Sequence, residues 1–198
     1  MFRDVPAEQR IVDGGQSTRL ALDAERRAHM GEPLEGIRQM QQCVDMAAAL
    51  GLRYLIPNVY CHLAQAHGLV GQVSEGLQAI TQGLATAEEM GGAAQYWIEM
   101  HRVRGELLLQ LPAGGECEAE AEFLTAISLA RRLEGKSLEL RAAISLGRLW
   151  QRQGKRQEAR DLVQGVYAWF SEGFDLPDLV EARALLADLD TDCTDQHQ

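Results

Sequence analysis

The chain has 198 residues, of which 46% are hydrophobic, 6% are aromatic and 24% are charged, and its formal net charge is −10. This length allows one repeat domain or one to two compact domains, and the negative charge argues against general affinity for nucleic acid. No apolar run approaches the roughly 18 residues of a membrane span, and the N-terminus lacks the apolar core of a secretion signal. The four widely spaced cysteines are typical of a protein in the reducing cytoplasm.

The predicted elements are all helices, and alternating strand patterns are missing from the sequence. We expect a flexible leader at residues 1–16, a helical domain at 17–190 and a disordered tail at 191–198. Pro57 falls within the first helix of the second pair. That helix is therefore expected to begin at Pro57 or to kink there. The helices are predicted in four pairs followed by a single last helix, at residues 17–30, 33–51, 52–69, 73–90, 93–111, 116–133, 137–153, 156–171 and 176–189.

One short pattern recurs in all four pairs, in which an acidic residue directly precedes a small residue. The small residues are Gly36, Gly76, Ala119 and Ala159, at spacings of 40, 43 and 40 residues. Apolar or small residues follow them at offsets of 4, 7 and 8, which is one face of a helix. A second small residue stands 12 or 14 residues earlier, on the preceding helix, at Ala24, Ala64, Gly105 and Gly147. Self-similarity at this period predicts an all-α solenoid of about four stacked hairpins whose small residues let the helices approach closely.

The last predicted helix has no second helix to pair with. Leu179, Ala182, Leu186 and Leu189 give it one apolar stripe, and acidic residues occupy much of the remaining surface. A helix that is apolar on one side and charged on the other suits the end of a stack. We therefore predict a C-terminal capping helix.

Catalytic and metal-binding patterns are weak. The run Gly135-Lys136-Ser137 matches the end of a phosphate-binding loop, but the required earlier glycine is replaced by Ala130 and the preceding segment is predicted as helix. His62 and His67 are five residues apart, which is not the spacing that places two ligands on one helix face. His101 lies near acidic residues without a nucleophile at a useful spacing. We expect no enzyme activity, no metal and no other cofactor.

The hairpin pattern resembles the tetratricopeptide repeat (TPR) family over roughly residues 17–171. Three segments, at 99–109, 137–143 and 167–175, are similar to the C-terminal TPR arrays of large bacterial signalling proteins, in which an AAA-like ATPase is joined to a nucleotide cyclase or a transcription-regulator domain. The resemblance implies a sensory, partner-binding array that forms part of such a protein. Nothing in the chain resembles the cyclase or ATPase modules.

The family pattern also implies which residues face the concave groove of the array. Mapped onto the first helix of each hairpin, and with Arg152 added beside them, these residues are Asn58, Gln65, Glu99, Arg102, Glu106, Arg141, Arg148 and Arg152. Residues 131–160 carry nine basic and three acidic side chains in a chain that is acidic overall. Because guanidinium groups bind carboxylates through paired hydrogen bonds, we predict that the arginines grip an acidic peptide. The alternative is that they are solvated or pair with Glu139 and the capping helix.

The combined prediction is a non-catalytic, cytoplasmic scaffold that binds a protein or peptide, with neither nucleic acid nor a membrane as a partner. An array that senses a small ligand and controls an attached cyclase, ATPase or transcription regulator remains the alternative. The oligomeric state stays open.

Overall fold

The computed structural model describes residues 31–90, 94–112 and 114–191. The predicted leader, the predicted first helix with Ala24, and residues 192–198 lie outside these ranges. Within them the chain forms helices and no strand. The helices are α1 (Pro33–Ala49), α2 (Ile56–Leu69), α3 (Val73–Glu89), α4 (Ala94–Leu108), α5 (Glu116–Arg132), α6 (Lys136–Arg152), α7 (Arg156–Tyr167) and α8 (Pro177–Thr191), with a single 3₁₀ turn at Arg53–Leu55.

The helices stack as antiparallel hairpins in two layers. The pairs α2 with α3, α4 with α5, and α6 with α7 form three complete hairpins, and α1 packs on α2. The helices α2, α4, α6 and α8 also pack on one another in that order and form an inner layer, while α1, α3, α5 and α7 form the outer layer. The all-α solenoid predicted from the repeat is confirmed.

Small residues recur at the same place in each outer helix. Gly36, Gly76, Ala119 and Ala159 are each the fourth residue of their helix, and all four are buried. The backbone N–H of each donates to the carbonyl four residues earlier, at 2.9 to 3.1 Å. These residues therefore occupy equivalent positions in α1, α3, α5 and α7.

The inner helices carry their own small residues where the outer helices cross them. A Cβ added to Gly105 would lie 2.5 Å from the Phe123 ring, and one added to Gly147 would lie 2.9 Å from Val163. A Cβ on Gly76 would lie 3.1 Å from the carbonyl oxygen of Ala64. The apolar side chains around these crossings form clusters that span α1 to α4, α4 to α6 and α6 to α8. The core therefore runs along the whole described stack.

Helix boundaries differ from the predictions where a proline or the end of a repeat intervenes. Pro57 is the second residue of α2 rather than a kink within a longer helix, because proline fits the first turn, where its missing N–H costs little. The helix predicted from residue 52 is thus a 3₁₀ turn followed by α2. The outer helix α7 ends at Tyr167, four residues before the predicted limit at Ser171.

Candidate functional site

The inner layer encloses an open cavity of about 630 Å³. Each of the four inner helices contributes side chains to it, because residues spaced three and four apart on one helix share a face. The lining is polar and charged apart from one isoleucine and one proline. It consists of His62 and Gln65 from α2, Glu99, Arg102 and Glu106 from α4, Arg141, Ile144 and Ser145 from α6, and Pro177, Asp178 and Glu181 from α8.

Arg102 lies at the centre of the lining and is held by carboxylates of its own helix. Its guanidinium donates to Glu99 at 3.0 Å and to Glu106, and its side chain is only 12% exposed. Glu106 also accepts a hydrogen bond from the Ser145 hydroxyl on α6, at 3.0 Å. Both sides of the guanidinium are therefore occupied within the protein.

The protonation of this group follows from its contacts. Burial acts to raise the pKa of Glu99, but the hydrogen bond and charge of Arg102, with smaller contributions from Arg141 and His62, hold that pKa below its usual value. Burial acts to lower the pKa of Arg102, and the two carboxylates outweigh it and raise that pKa. Both charges are consequently fixed near neutral pH.

The arginines of α6 pair with the capping helix. Arg141 Nε donates to Asp178 Oδ2 at 2.7 Å, and Arg148 lies 2.8 Å from Glu181 Oε1. These four side chains are all partly exposed. The pairing with the capping helix, which the sequence left as the alternative, is thus formed for both arginines.

The predicted groove residues do not all meet at the cavity. Gln65, Glu99, Arg102, Glu106 and Arg141 line it, and Arg148 reaches it only through its contact with Glu181. Asn58 is exposed in the first turn of α2, ahead of the two α2 residues in the lining. Arg152 is exposed at the last residue of α6 and pairs with no acidic residue in the described part of the chain.

Sequence reasoning allowed the arginines to pair with the capping helix but did not include its residues in the groove. Asp178 and Glu181 of that helix form an acidic wall of the cavity. The signal that could have placed them was the position of α8 itself, since the inner helix of any further hairpin must continue the inner layer. The lining residues His62 and Ser145 carried no such signal.

A smaller pocket of about 210 Å³ adjoins the cavity between the C-terminal halves of α2 and α4. Gln65 and Glu106 belong to both linings, so the two spaces lie next to each other. The remaining lining is largely apolar, and Leu69 is 57% exposed at its rim. The other residues that line it are Gly68, Val103, Leu107 and Gln110.

One histidine, His101, contacts a glutamate outside the cavity and the adjoining pocket. His101 Nδ1 is 2.6 Å from Glu122 Oε2 on α5, and Arg104 is 3.4 Å from the same carboxylate. Neither His101 nor Glu122 lines the cavity or the adjoining pocket. His101 and Glu122 therefore form a bridge between α4 and α5, and their hydrogen bond includes no nucleophile.

The described residues contain neither a metal-binding cluster nor a membrane-spanning helix. No group of three or more His, Cys, Asp and Glu side chains in that part of the chain is placed to hold a metal ion. None of the helices described above is long and apolar enough to cross a membrane.

Comparison with solved structures identifies similar folds. Kinesin light chain TPR-like repeats of Podosopora anserina match with a TM-score of 0.65 at 18% identity, over 92% of this chain and 89% of theirs. A single-residue variant of these repeats matches with a TM-score of 0.66 at 17% identity, over 92% of this chain and 88% of its own. A Rap protein in complex with Competence and Sporulation Factor matches with a TM-score of 0.72 at 20% identity, over 91% of this chain. This chain spans 57% of the length of that Rap protein. No protein-family model and no curated protein matches the sequence.

These likenesses bear on architecture. At identities of 17 to 20% they show that the chain has a TPR-like fold, as its repeat predicted. Folds of this kind are scaffolds whose curvature creates an extended concave surface, and the inner layer of α2, α4, α6 and α8 is that surface here.

Proposed function

We propose that this chain is a non-catalytic scaffold that binds a peptide or an extended protein segment on the concave face formed by α2, α4, α6 and α8. The observation that carries the proposal is a pair of adjacent spaces on that face, a cavity of about 630 Å³ and a pocket of about 210 Å³ that share Gln65 and Glu106 in their linings. Each is lined by side chains from at least two inner helices, so a ligand there touches more than one repeat. A single hairpin cannot build such a surface.

The fold comparison supports binding of a partner by an array of this kind. The Rap protein is described as complexed with Competence and Sporulation Factor, and its structure superposes on most of this chain. The site chemistry supports binding rather than catalysis, because the charged side chains of the lining are engaged with one another and leave no activated nucleophile or base among them.

The wider role that we propose is the sensory or regulatory part of a bacterial signalling protein in the cytoplasm, joined to an ATPase and to a cyclase or transcription-regulator domain. Its support is the similarity of residues 99–109, 137–143 and 167–175 to the repeat arrays of such proteins. Sequencing of the genomic reading frame around the coding segment tests it. The proposal is contradicted if neither that frame nor a neighbouring gene encodes an ATPase, a cyclase or a DNA-binding domain.

A small ligand is the second candidate for the same surface. The volume of the cavity falls within the range of roughly 300–1,000 Å³ that is usual for small-molecule sites. A ligand that binds only the folded state raises the melting temperature in a saturable way. Saturable shifts with metabolites, together with no selected peptide, would favour this candidate over peptide binding.

The acidic partner predicted from the arginines stays a prediction. Arg141 and Arg148 already contact Asp178 and Glu181, so an acidic peptide must displace carboxylates of the capping helix before it can bind them. Such partly exposed pairs contribute only about 0–1 kcal/mol each, so displacement is energetically accessible.

The test of peptide binding is selection of a displayed library of random peptides against the purified chain, followed by affinity measurements on a blocked variant. Ser145 lines the cavity on α6, and Ser128 is exposed on α5 in the outer layer. We expect Ser145→Trp to lower the affinity for the selected peptides by about tenfold or more, because the indole fills the groove. Ser128→Trp should leave that affinity unchanged. Equal affinities for both variants would place binding elsewhere and overturn the proposal.

A further inference from the structure

The cavity lining carries more negative than positive charge. Four carboxylates and two guanidinium groups line it, a balance of −2 among these six groups. Arg148, which touches the lining through Glu181, reduces this balance to −1 without reversing it. The basic character of residues 131–160 therefore does not extend to the cavity, because the carboxylates of α4 and α8 meet the arginines there.

The accessible carboxylates differ from the enclosed guanidinium. Glu106 and Glu181 keep 41% and 40% of their side-chain surface exposed, whereas Arg102 keeps 12% and is bracketed by its own carboxylates. Arg141 is exposed as well, but its Nε donates to Asp178 at 2.7 Å and Nη1 lies 4.0 Å from Glu99. A carboxylate can accept from further donors after one salt bridge forms, so the lining retains acceptor capacity towards a cation.

The adjoining pocket adds a second, different contact. It is walled by Val103 and Leu107, opens beside the exposed Leu69, and shares Gln65 and Glu106 with the cavity. An apolar side chain seated there would lie next to the carboxylate of Glu106. The two spaces thus favour a ligand that is apolar at one point and cationic a short distance away.

We infer that the concave face recognises a peptide segment with a basic side chain in the cavity and an apolar side chain in the adjoining pocket. The inference rests on the proposed peptide-binding function and names the chemistry of its partner. The lysine or arginine of the peptide lies between Glu106 on α4 and Glu181 on α8, and a leucine, isoleucine, methionine or phenylalanine packs on Leu69 and Val103. This sign of charge is opposite to the one that the local sequence composition predicts.

The experiment reads the composition of peptides selected from the random library on the full chain. We expect enrichment of lysine or arginine together with one large apolar residue at a fixed separation. A synthetic peptide of the enriched sequence is then compared with copies in which the basic residue is replaced by glutamate or glutamine. The basic copy is expected to bind most tightly, and its affinity should fall as the ionic strength rises from about 0.05 to about 0.5 M, since salt screens exposed charges.

Matched variants locate the two contacts on the protein. Glu181→Gln and Glu106→Gln are each expected to weaken the basic peptide by about three- to tenfold, whereas Glu158→Gln, which removes an exposed carboxylate of α7, leaves it unchanged. Leu69→Ser is expected to weaken binding of the peptide severalfold. Leu124→Ser on α5 is expected to have no effect, although Leu124 is also exposed, at 46% against 57% for Leu69. Thermal unfolding of each variant confirms that the fold is retained.

The outcomes separate this inference from the function on which it rests. Selected peptides that are acidic, or whose binding is indifferent to the basic residue, overturn the inference and leave peptide binding on the concave face intact. Selected peptides that bind Ser145→Trp as tightly as the unchanged chain overturn both. Basic, apolar-containing peptides that lose affinity with Glu181→Gln and Leu69→Ser support the inference.

Discussion

At the scale of single residues, Glu134 shows how closely the repeats copy one another's backbone. It adopts the left-handed conformation, with φ of 55°, at the position after α5 that Gly154 occupies after α6, where φ is 79°. In both places the next N–H donates back to the helix, from Gly135 to Ala130 and from Lys155 to Trp150, each at 2.9 Å. Gly135 would adopt the left-handed conformation more readily, but the hydrogen-bonded cap places the left-handed residue one position earlier, at Glu134.

Replacement of Glu134 by glycine is therefore expected to stabilise the protein. A residue with a Cβ is destabilised by about 1–2 kcal/mol in the left-handed region, and replacement by glycine removes this strain. Glycine also gives the unfolded chain more conformational freedom, which offsets part of the stabilisation. We expect Glu134→Gly to raise the free energy of unfolding by about 0.5–1 kcal/mol in urea denaturation. Gly154→Ala, the reverse change at the equivalent position, should lower it by about 1 kcal/mol. A neutral or destabilising Glu134→Gly would mean that the left-handed conformation is not under strain.

Glu139 is the buried carboxylate at the start of α6. It is only 3% exposed and accepts from Arg131 Nε and Lys136 Nζ, each at 2.7 Å. Burial acts to raise its pKa, but these two hydrogen bonds and charges outweigh burial and hold the pKa below the usual value of a glutamate. A lowered folded-state pKa means that Glu139 stabilises the fold above the ordinary glutamate pKa and loses that contribution as the pH falls through the folded-state value.

Glu139→Gln is accordingly expected to destabilise the chain near neutral pH by about 1–3 kcal/mol, because it leaves two cations without their carboxylate. The difference from the unchanged protein should narrow as the pH falls below the ordinary glutamate pKa of about 4.3 and towards the lower folded-state pKa, because a protonated glutamate has no charge for glutamine to lack. Chemical denaturation at several pH values measures this. Glu118→Gln, an exposed carboxylate in the first turn of α5, serves as the control and should cost little at any pH. A difference that is constant with pH would show that the charge of Glu139 does not contribute.

The same scale explains which groove residues could be predicted. Glu99, Arg102 and Glu106 were found because the family pattern assigns their positions in the first helix of a hairpin to the groove, and spacings of three and four place them on one helix face. Asp178 and Glu181 were not named individually, although pairing with the capping helix was the alternative, because nothing local distinguishes the acidic residues of a helix that meet arginines from those that meet water. Arg152 was added because it lies beside the mapped residues of α6, but Ser145 is the last residue of α6 in the cavity lining.

At the scale of elements, small side chains control how closely paired helices approach. The repeat spacing was readable because each crossing reuses the same position, the fourth residue of an outer helix. The helix ends were less readable, since they depend on caps and turns that involve few residues. The end of α7 at Tyr167 is an example, because the predicted extension to Ser171 is instead a turn in which Trp169 and Phe170 pack edge to face.

Two helical glycines test the role of small side chains, because alanine at the two positions is expected to change the free energy of unfolding in opposite directions. Gly105 on α4 faces Phe123, so the Cβ of Gly105→Ala must displace a buried ring or the helix itself, and we expect a loss of about 1–3 kcal/mol. Gly165 on α7 has no atom within 4 Å of a Cβ position, so Gly165→Ala should gain about 0.5–1 kcal/mol from helix propensity. Urea denaturation of both variants measures the contrast. A Gly105→Ala variant as stable as the unchanged chain would contradict the close-approach role of the small residues.

At the scale of the whole molecule, the stack is held together by contacts between successive helices. The described helices pack mainly on the helices next to them, so each interface contributes to the stability of two hairpins and little to distant ones. The capping helix α8 covers the last interface, where Leu179, Leu185 and Leu189 pack on side chains of α6 and α7. It also supplies the acidic wall of the cavity. Stability at the end of the stack and the charge of the binding face therefore depend on the same helix.

Leu179→Ala tests this dependence. Leu179 is 2% exposed, and its truncation should cost about 2–4 kcal/mol at the last interface, whereas Val180→Ala, one residue on and 41% exposed, should cost less than about 0.5 kcal/mol. Hydrogen exchange followed by mass spectrometry locates the loss. Because coupling passes only between neighbours, we expect amides of α6, α7 and α8 to exchange much faster while those of α2 and α3 change little. An equal loss of protection in all helices would instead show that the stack unfolds as one cooperative body, and the concave face would then respond to any ligand as a rigid unit.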